Sequence, residues 1–193
     1  MAPHLSPADD KVKSGPDYRA AAQQAALSAL EDGALLRVRV TSNSMSPWMR
    51  RGEEVRVQPC APQEISPGDV LVIHQDGVWI THRLIRATQQ GLTLKGDASP
   101  RRDPPRPARS LVGRVTGLWQ EETFQDWTRP PWREIQRRAA RWSLLHARLS
   151  APLESGPLPR VLSVILLRLL GGFFRLGHTL LYRLSAVQTR PGD

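Results

Sequence analysis

The chain is poor in cysteine, since Cys60 is the single cysteine among its 193 residues. One cysteine excludes an internal disulfide bond, and it excludes a zinc site built from several cysteines. This usage fits a protein of a reducing compartment. The sequence implies no metal ion and no organic cofactor, and we expect none.

Lysine is also scarce, because arginine supplies almost all of the positive charge. Only three of the 27 basic residues are lysines, namely Lys11, Lys13 and Lys95. No lysine lies between Lys13 and Lys95, so that stretch contains no lysine that could act as a general base. This limits the enzyme mechanisms that the stretch can support.

The N-terminal stretch MAPHLSPADDKVKSGPDY lacks an apolar run. A secretory signal peptide or a membrane anchor requires such a run, so we expect neither here. Residues 1–16 are predicted to be a disordered lead. The domain that follows is therefore expected to stay on the cytoplasmic side.

Acidic residues are few in the second half of the chain. Residues 1–98 carry eleven basic and eleven acidic side chains, whereas 99–193 carry sixteen arginines and seven acids. The net charge of +9 therefore comes from the second half. A basic region favours an anionic partner, either a membrane surface or nucleic acid. Nucleic acid is the weaker alternative, because no reading-helix motif is recognisable and the C-terminal segment is strongly apolar.

Hydrophobic periodicity predicts one short helix followed by a set of strands. Asp17 can cap a helix at 17–33 that ends at Gly33. Six runs with strand character follow, separated by turns such as Asp76-Gly77: 35–42, 53–59, 69–75, 78–88, 92–98 and 110–120. We therefore predict a mainly β fold, with a compact antiparallel sheet or partial barrel at 34–120.

The region after residue 120 is predicted to be an α-helical C-terminal extension. A period of 3.6 residues indicates a basic helix at 130–150, and 151–159 resembles a linker, so 121–159 forms one basic region. The last region, 160–193, contains an amphipathic and strongly apolar helix.

The apolar helix is marginal as a membrane span. Residues 161–182 contain thirteen Leu, Ile, Val or Phe, which together contribute about −4 to −8 kcal/mol to insertion. Arg168 and Arg175 lie near its centre and each costs about 2.5 to 3.5 kcal/mol. A helix lying in an anionic membrane interface fits better. A helix docked on the protein's own core or on a partner is an equally good alternative.

The stretch TSNSMSPW, at 41–48, contains the residue that would carry chemistry. A serine after a strand usually forms a turn or caps a helix. A serine nucleophile needs a base that takes its proton and donors that stabilise the oxyanion. His82, in the middle of the predicted strand ITHRLI, is the candidate base, although it could also be a hydrogen-bonded sheet residue. Asp97 and Asp103 are the candidate acids that could orient it.

Five segments resemble those of type I signal peptidases. SNSMSPWMRRGEEVRV resembles the nucleophile segment, PGDVLVI the Gly-Asp strand, THRLI the base segment, LKGDASPRRD the Lys-Gly-Asp segment with a second aspartate, and LVGRV the final strand. They follow one another in the family's order and cover 35–118, roughly 40% of the chain. The resemblance implies the signal peptidase fold, and it extends to the related self-cleaving phage-repressor-like peptidases.

The resemblance also implies the catalytic residues. The family has a Ser/Lys type and a Ser/His/Asp type, and the latter is found in the endoplasmic reticulum and in archaea. His82 occupies the base position here, so the Ser/His/Asp type is implied and Lys95 is expected to be structural. Ser44 would be the nucleophile, and His82 the general base and then the general acid. Asp103 matches the acid that orients the histidine and Asp97 an acid that supports the site, but which of them meets His82 stays open.

The same comparison gives roles to the neighbours of Ser44. The Ser42 hydroxyl would join the Ser44 backbone N–H in the oxyanion hole, while Met45 and Pro47 would shape the turn. Ser46 would be a replaceable turn residue. The implied substrate is an extended polypeptide with small side chains at positions −1 and −3, bound as an added strand.

Two functions therefore follow from the sequence. The first is a membrane-associated serine endopeptidase that cleaves a precursor or signal-like peptide. The alternative is a catalytically silent binding module, attached to a membrane or a partner through its arginine-rich C-terminal half. The charge asymmetry favours the alternative, as does the lack of a membrane anchor before the nucleophile strand.

Overall fold

The computed structural model describes residues 16–75, 77–120, 122–130, 132–155 and 160–188. The expected disordered lead at 1–16 lies outside these ranges, except for Pro16, which begins the first helix.

Within these ranges the chain forms three helices and seven strands. In order they are α1 (Pro16–Glu31), β1 (Leu36–Arg39), β2 (Glu54–Gln58), β3 (Val70–Gln75), β4 (Val78–Thr88), β5 (Gly91–Lys95), β6 (Leu111–Gln120), β7 (Thr123–Asp126), α2 (Trp132–Ser155) and α3 (Arg160–Gln188). A short 3-10 turn, Ala108–Ser110, precedes β6.

The described strands form one antiparallel sheet in the order β1-β2-β6-β3-β4-β5, with β7 paired to β6. All six predicted strands are present, because each has an apolar or alternating run between turn residues. Strand β7 was not predicted, since TFQD is short and mostly polar. Phe124 holds it in place by packing against Trp119 of β6, with ring centroids 4.5 Å apart.

The fold is mixed α and β rather than mainly β, because the helices contain more residues than the strands. The strand order has open ends at β1 and β5, and the described pairings do not close a barrel. A sheet with an apolar face needs a second layer to cover it. Helices α2 and α3 contribute to that layer, where a mainly β fold would use further strands.

The main hydrophobic core lies between the sheet, the loop after β1 and helix α2. It consists of Leu30, Met45, Trp48, Met49, Val55, Val57, Val70, Val72, Val115, Leu118, Trp127, Trp132, Ile135 and Ala139. Leu181 and Tyr182 of α3 pack against the same core. The C-terminal helices therefore share the core of the sheet.

Helix α2 is longer than predicted. It runs through Pro152 to Ser155, into the expected linker at 151–159. Residues 156–159 of that linker lie outside the described ranges. A proline removes one backbone hydrogen bond and favours a kink, but it does not end every helix. Extensive packing of α2 against α3 favours the longer helix.

Helix α3 has two different faces. On the inner face, Phe174 and His178 are 1% and 0% exposed. The outer face carries a row of exposed apolar side chains three or four residues apart, here called the outer apolar stripe: Leu162, Ile165, Leu169, Phe173, Leu176 and Leu180. The inner face therefore docks on the protein itself, as one of the two alternatives predicted, while the outer face stays uncovered.

The segment Arg160–Arg183 is long and apolar enough to cross a membrane by length and composition. Its mean hydropathy is 1.5, and only 11% of its most apolar window is buried inside the protein. These values are compatible with membrane association.

Phe174→Ala is expected to destabilise the protein strongly, because the ring is buried between Trp142 and His146. The cavity left by a buried phenylalanine costs about 3–5 kcal/mol of unfolding free energy. Phe173→Ala is the matched control, since Phe173 is 58% exposed and its loss should cost less than about 1 kcal/mol. Urea unfolding of both variants measures the difference, and equal losses would show that α3 is not docked on this face.

Candidate active site

The loop between β1 and β2 presents Ser44 at the surface. The Met45 carbonyl accepts the N–H groups of Trp48 and Met49, at 3.0 and 3.2 Å. All three of these side chains are at most 1% exposed, so they anchor the loop in the core. Pro47 is buried as well. Met45 and Pro47 therefore lie where residues that shape the turn would be expected.

Ser42 lies beside Ser44 and contacts it in two ways. The two hydroxyl oxygens are 3.2 Å apart. The Ser44 backbone N–H also points to the Ser42 hydroxyl, at a nitrogen–oxygen distance of 3.5 Å. The two groups predicted to form an oxyanion hole are thus neighbours at an exposed position.

His82 and Asp103 form the closest contact of the site. The His82 Nδ1 atom is 2.5 Å from Asp103 Oδ2, and the two side chains are 16% and 22% exposed. Asp103 is held in place because its backbone N–H donates to the Leu94 carbonyl at 2.8 Å. The loop of 100–107 therefore lies along β5 and brings the second predicted acid to the histidine.

Gly96 lies between Ser44 and His82. A Cβ atom added to Gly96 would lie 3.0 Å from His82 Nε2, 3.3 Å from Ser44 Cβ and 2.8 Å from the Ser44 carbonyl oxygen. That carbonyl accepts the Ala98 N–H at 2.9 Å. Ser44 and the Nε2 side of His82 therefore face the same small volume, which stays open because residue 96 has no side chain.

Asp97 does not meet His82 and pairs instead with Arg83. The Arg83 Nη2 atom is 2.6 Å from Asp97 Oδ2, and both side chains are fully buried. Ser143 of α2 donates to Asp97 Oδ1 at 2.8 Å. Asp97 is therefore not placed to orient His82, and its buried position next to Gly96 is that of an acid that supports the site from the core.

The charge of Asp97 is compensated inside the protein. Burial alone would raise the pKa of this carboxyl, but the Arg83 guanidinium, helped by His178 and Ser143, holds the pKa below its ordinary value. Arg83 in turn donates to the Gly68 carbonyl at 2.8 Å and to the Gln136 side-chain oxygen. A buried ion pair needs this many partners to offset the loss of water.

Sequence reasoning missed the helical residues that complete this network. Trp48 Nε1 donates to His178 Nδ1 at 2.8 Å, and His178 Nε2 lies 3.2 Å from Ser143 Oγ. Helical periodicity did not single out His178 or Ser143, because it cannot say which element each face of a helix meets.

Lys95 is buried in β5, as its expected structural role requires. Its Nζ atom donates to the Gly96 carbonyl at 3.2 Å and lies 3.5 Å from His146 Nδ1. Burial lowers the pKa of the Lys95 ammonium to about 8, although Asp97 opposes the shift. Lys95 thus supports the chain next to Gly96 from behind.

Across the described ranges, no three His, Cys, Asp or Glu side chains cluster in a way that could hold a metal ion. The arrangement can instead support proton transfer, because a histidine with a carboxylate on one nitrogen lies close to a serine on the other side.

The stability of the protein is expected to fall as the pH drops from 6.5 to 5. Burial lowers the pKa of His146 and of His178 to about 4 each, from an ordinary 6.5. The unfolded chain therefore binds protons in this range that the folded chain does not, so unfolding becomes easier. Each histidine contributes at most roughly 1.4 kcal/mol per pH unit.

Urea unfolding at several pH values between 6.5 and 5 measures this slope. The glutamine in His146→Gln does not titrate in this range. The slope of unfolding free energy against pH should therefore fall by the contribution of one histidine. An unchanged slope would contradict the assignment of His146 as a buried neutral residue.

No protein-family model matches this chain, and no curated protein sequence or solved structure matches it.

Proposed function

We propose that the protein is a serine endopeptidase of the signal-peptidase-like type. Ser44 is the nucleophile, His82 the base and Asp103 the acid that orients the base. The observation that carries this proposal is the His82–Asp103 contact at 2.5 Å, with Ser44 on the Nε2 side of the same ring. The order of the five segments that resemble type I signal peptidases supports it independently.

The contact with Asp103 determines which nitrogen of His82 can act as a base. A carboxylate accepts a hydrogen bond, so Nδ1 carries the proton and Nε2 keeps a lone pair. Nε2 faces the volume that Ser44 borders. The lone pair is therefore on the side where the serine proton must be taken.

Catalysis requires a rotation of the Ser44 side chain. Its hydroxyl contacts Ser42 in this structure, and it must turn towards His82 Nε2 when a substrate binds. Catalytic hydrogen bonds are often loose in the absence of substrate and tighten in the complex. Ser44 then attacks the peptide carbonyl, and His82 transfers the proton to the leaving amine. Water then attacks the resulting ester, with His82 taking the proton of the water and returning a proton to Ser44.

The Ser44 N–H and the Ser42 hydroxyl are the proposed oxyanion donors. They now contact each other, at 3.5 Å, and a substrate oxygen would replace this weak bond. Two donors aimed at the developing negative charge are a common means of lowering the barrier of acyl transfer.

The proposed substrate is an extended polypeptide with small side chains near the cleaved bond. Among the described strands, β1 pairs with β2 alone, so its other edge has no strand partner. This edge leads directly into the loop that carries Ser44. An extended peptide can pair with such an edge as an additional strand.

We further propose that α3 attaches the protein to an anionic membrane surface. The outer apolar stripe offers apolar area for the interface, and the exposed residues Arg168 and Arg175 lie beside it. A spanning helix fits less well, because Phe174 and His178 in the middle of α3 are buried against the protein. An interfacial helix leaves that face docked.

Ser44→Ala and His82→Gln are each expected to lower peptide cleavage by on the order of 10⁴-fold or more, because nucleophile and base act as a unit. Asp103→Asn should lower it by roughly 10²–10⁴-fold, since the histidine loses its orienting carboxylate. Ser46→Ala is the matched control and should leave cleavage unchanged. The assay uses extended peptides with alanine at −1 and −3, together with labelling by a serine-directed fluorophosphonate.

A wild-type chain that neither cleaves these peptides nor labels at Ser44 would favour the catalytically silent binding module. Labelling that persists in Ser44→Ala would place the reactive serine elsewhere.

The double variant Arg168→Gln/Arg175→Gln is expected to bind anionic vesicles more weakly by roughly 10–30-fold, since each arginine near such a surface contributes about 1 kcal/mol. Arg86→Gln/Arg109→Gln changes the net charge equally and replaces exposed arginines outside α3, so it is the matched control. Vesicle co-sedimentation at low and high salt measures both variants. Equal affinities would reject α3 as the membrane-binding face.

A further inference from the structure

We propose that His178 of α3 is a positioning residue for the catalytic site, because it links the loop of Ser44 to the Arg83–Asp97 pair behind Gly96. The inference rests on the proposed peptidase function and adds a residue that lies in the C-terminal helix. It acts through other residues, since His178 is fully buried and touches no substrate.

The first link runs from His178 to the nucleophile loop. Trp48 Nε1 donates to His178 Nδ1 at 2.8 Å, and both side chains are fully buried. The Trp48 backbone N–H donates to the carbonyl of Met45, the residue after Ser44. The position of the Trp48 ring therefore fixes the turn in which Ser44 lies.

The second link runs from His178 through α2 to Asp97. Since Nδ1 accepts from Trp48, the neutral ring carries its proton on Nε2. Nε2 can then donate to Ser143 Oγ, which lies 3.2 Å away. The Ser143 hydroxyl donates its own hydrogen bond to Asp97 Oδ1, at 2.8 Å.

These bonds have one consistent direction. Trp48 donates to His178, His178 to Ser143 and Ser143 to Asp97, where the negative charge terminates the chain. Burial lowers the pKa of His178 to about 4, so the ring is neutral at pH 7 and the direction is maintained. A protonated ring would lose the acceptor that Trp48 needs.

The chain of bonds closes around the proposed nucleophile. Asp97 follows Gly96, which separates Ser44 from His82. The next residue, Ala98, donates its N–H to the Ser44 carbonyl at 2.9 Å. A closed loop of covalent and hydrogen bonds thus holds Ser44 and Gly96, which border the same small volume as His82 Nε2.

The ring of His178 also packs edge to face with Trp48, with centroids 6.1 Å apart. Packing alone would make His178 an ordinary core residue. The test must therefore separate the hydrogen bonds from the packing.

The experiment uses the full chain with His178→Phe, which keeps an aromatic ring and removes both hydrogen bonds. We expect the fluorophosphonate labelling rate of Ser44 and kcat to fall by on the order of 10–100-fold, with KM nearly unchanged, because a small displacement of a reacting group has this effect. His178→Asn, which retains one acceptor and one donor, should recover part of the loss. The Trp48 indole N–H resonance should shift in His178→Phe.

Phe174→Ala serves as the stability control, because it removes a buried ring of the same helix without removing a member of the bond chain. Both variants are assayed at a temperature where circular dichroism shows them folded. Full labelling in Phe174→Ala with reduced labelling in His178→Phe supports the inference. Equal losses in both, or wild-type rates in His178→Phe, overturn it.

Failure of the proposed function gives a different result. A wild-type chain that neither cleaves nor labels removes the function and the inference with it. An active wild type with an equally active His178→Phe removes the inference alone.

Discussion

The buried ion pair of Arg83 and Asp97 is the interaction on which the rest of the structure depends. Both side chains have no exposed surface, so neither charge can exist without partners. The Gly68 carbonyl and the Gln136 side-chain oxygen accept further hydrogen bonds from the guanidinium, and Ser143 donates one to the carboxylate. Two of these partners belong to α2. The sheet therefore cannot keep this pair without the helix, which explains why the C-terminal helices are part of the core.

The two faces of strand β4 have different roles. His82 and Arg83 are consecutive, so their side chains point to opposite faces of the sheet. One face carries the contact between His82 and Asp103, which is partly exposed and suited to chemistry. The other face carries the charge that organises the core. Gly96 lies where the two sides come closest, and its missing side chain leaves room for Ser44.

The sequence predicts local structure and the residues of the open face better than it predicts the buried network. Alternating apolar runs indicate the strands, and the order of the motifs predicts that Ser44 and His82 lie together, with Asp103 as one of two candidate acids. Ser44 and Asp103 lie in loops that meet His82 at the sheet, so their contacts depend on strand order as well as on the motifs. The network around Asp97 is different, because Ser143 and His178 lie on C-terminal helices, and a helical period does not show which element each face of a helix meets. Strand β7 is absent from the predictions for a related reason, since a neighbouring strand rather than its own composition stabilises it.

The bond between Trp48 and His178 joins residues 130 positions apart in the chain. Such a contact closes a very long loop, and the entropic cost of closure grows with loop length. During synthesis, Trp48 leaves the ribosome long before its acceptor exists. If His178 positions the loop of Ser44 as proposed, that loop gains its hydrogen-bond partner only after 130 further residues have been synthesised.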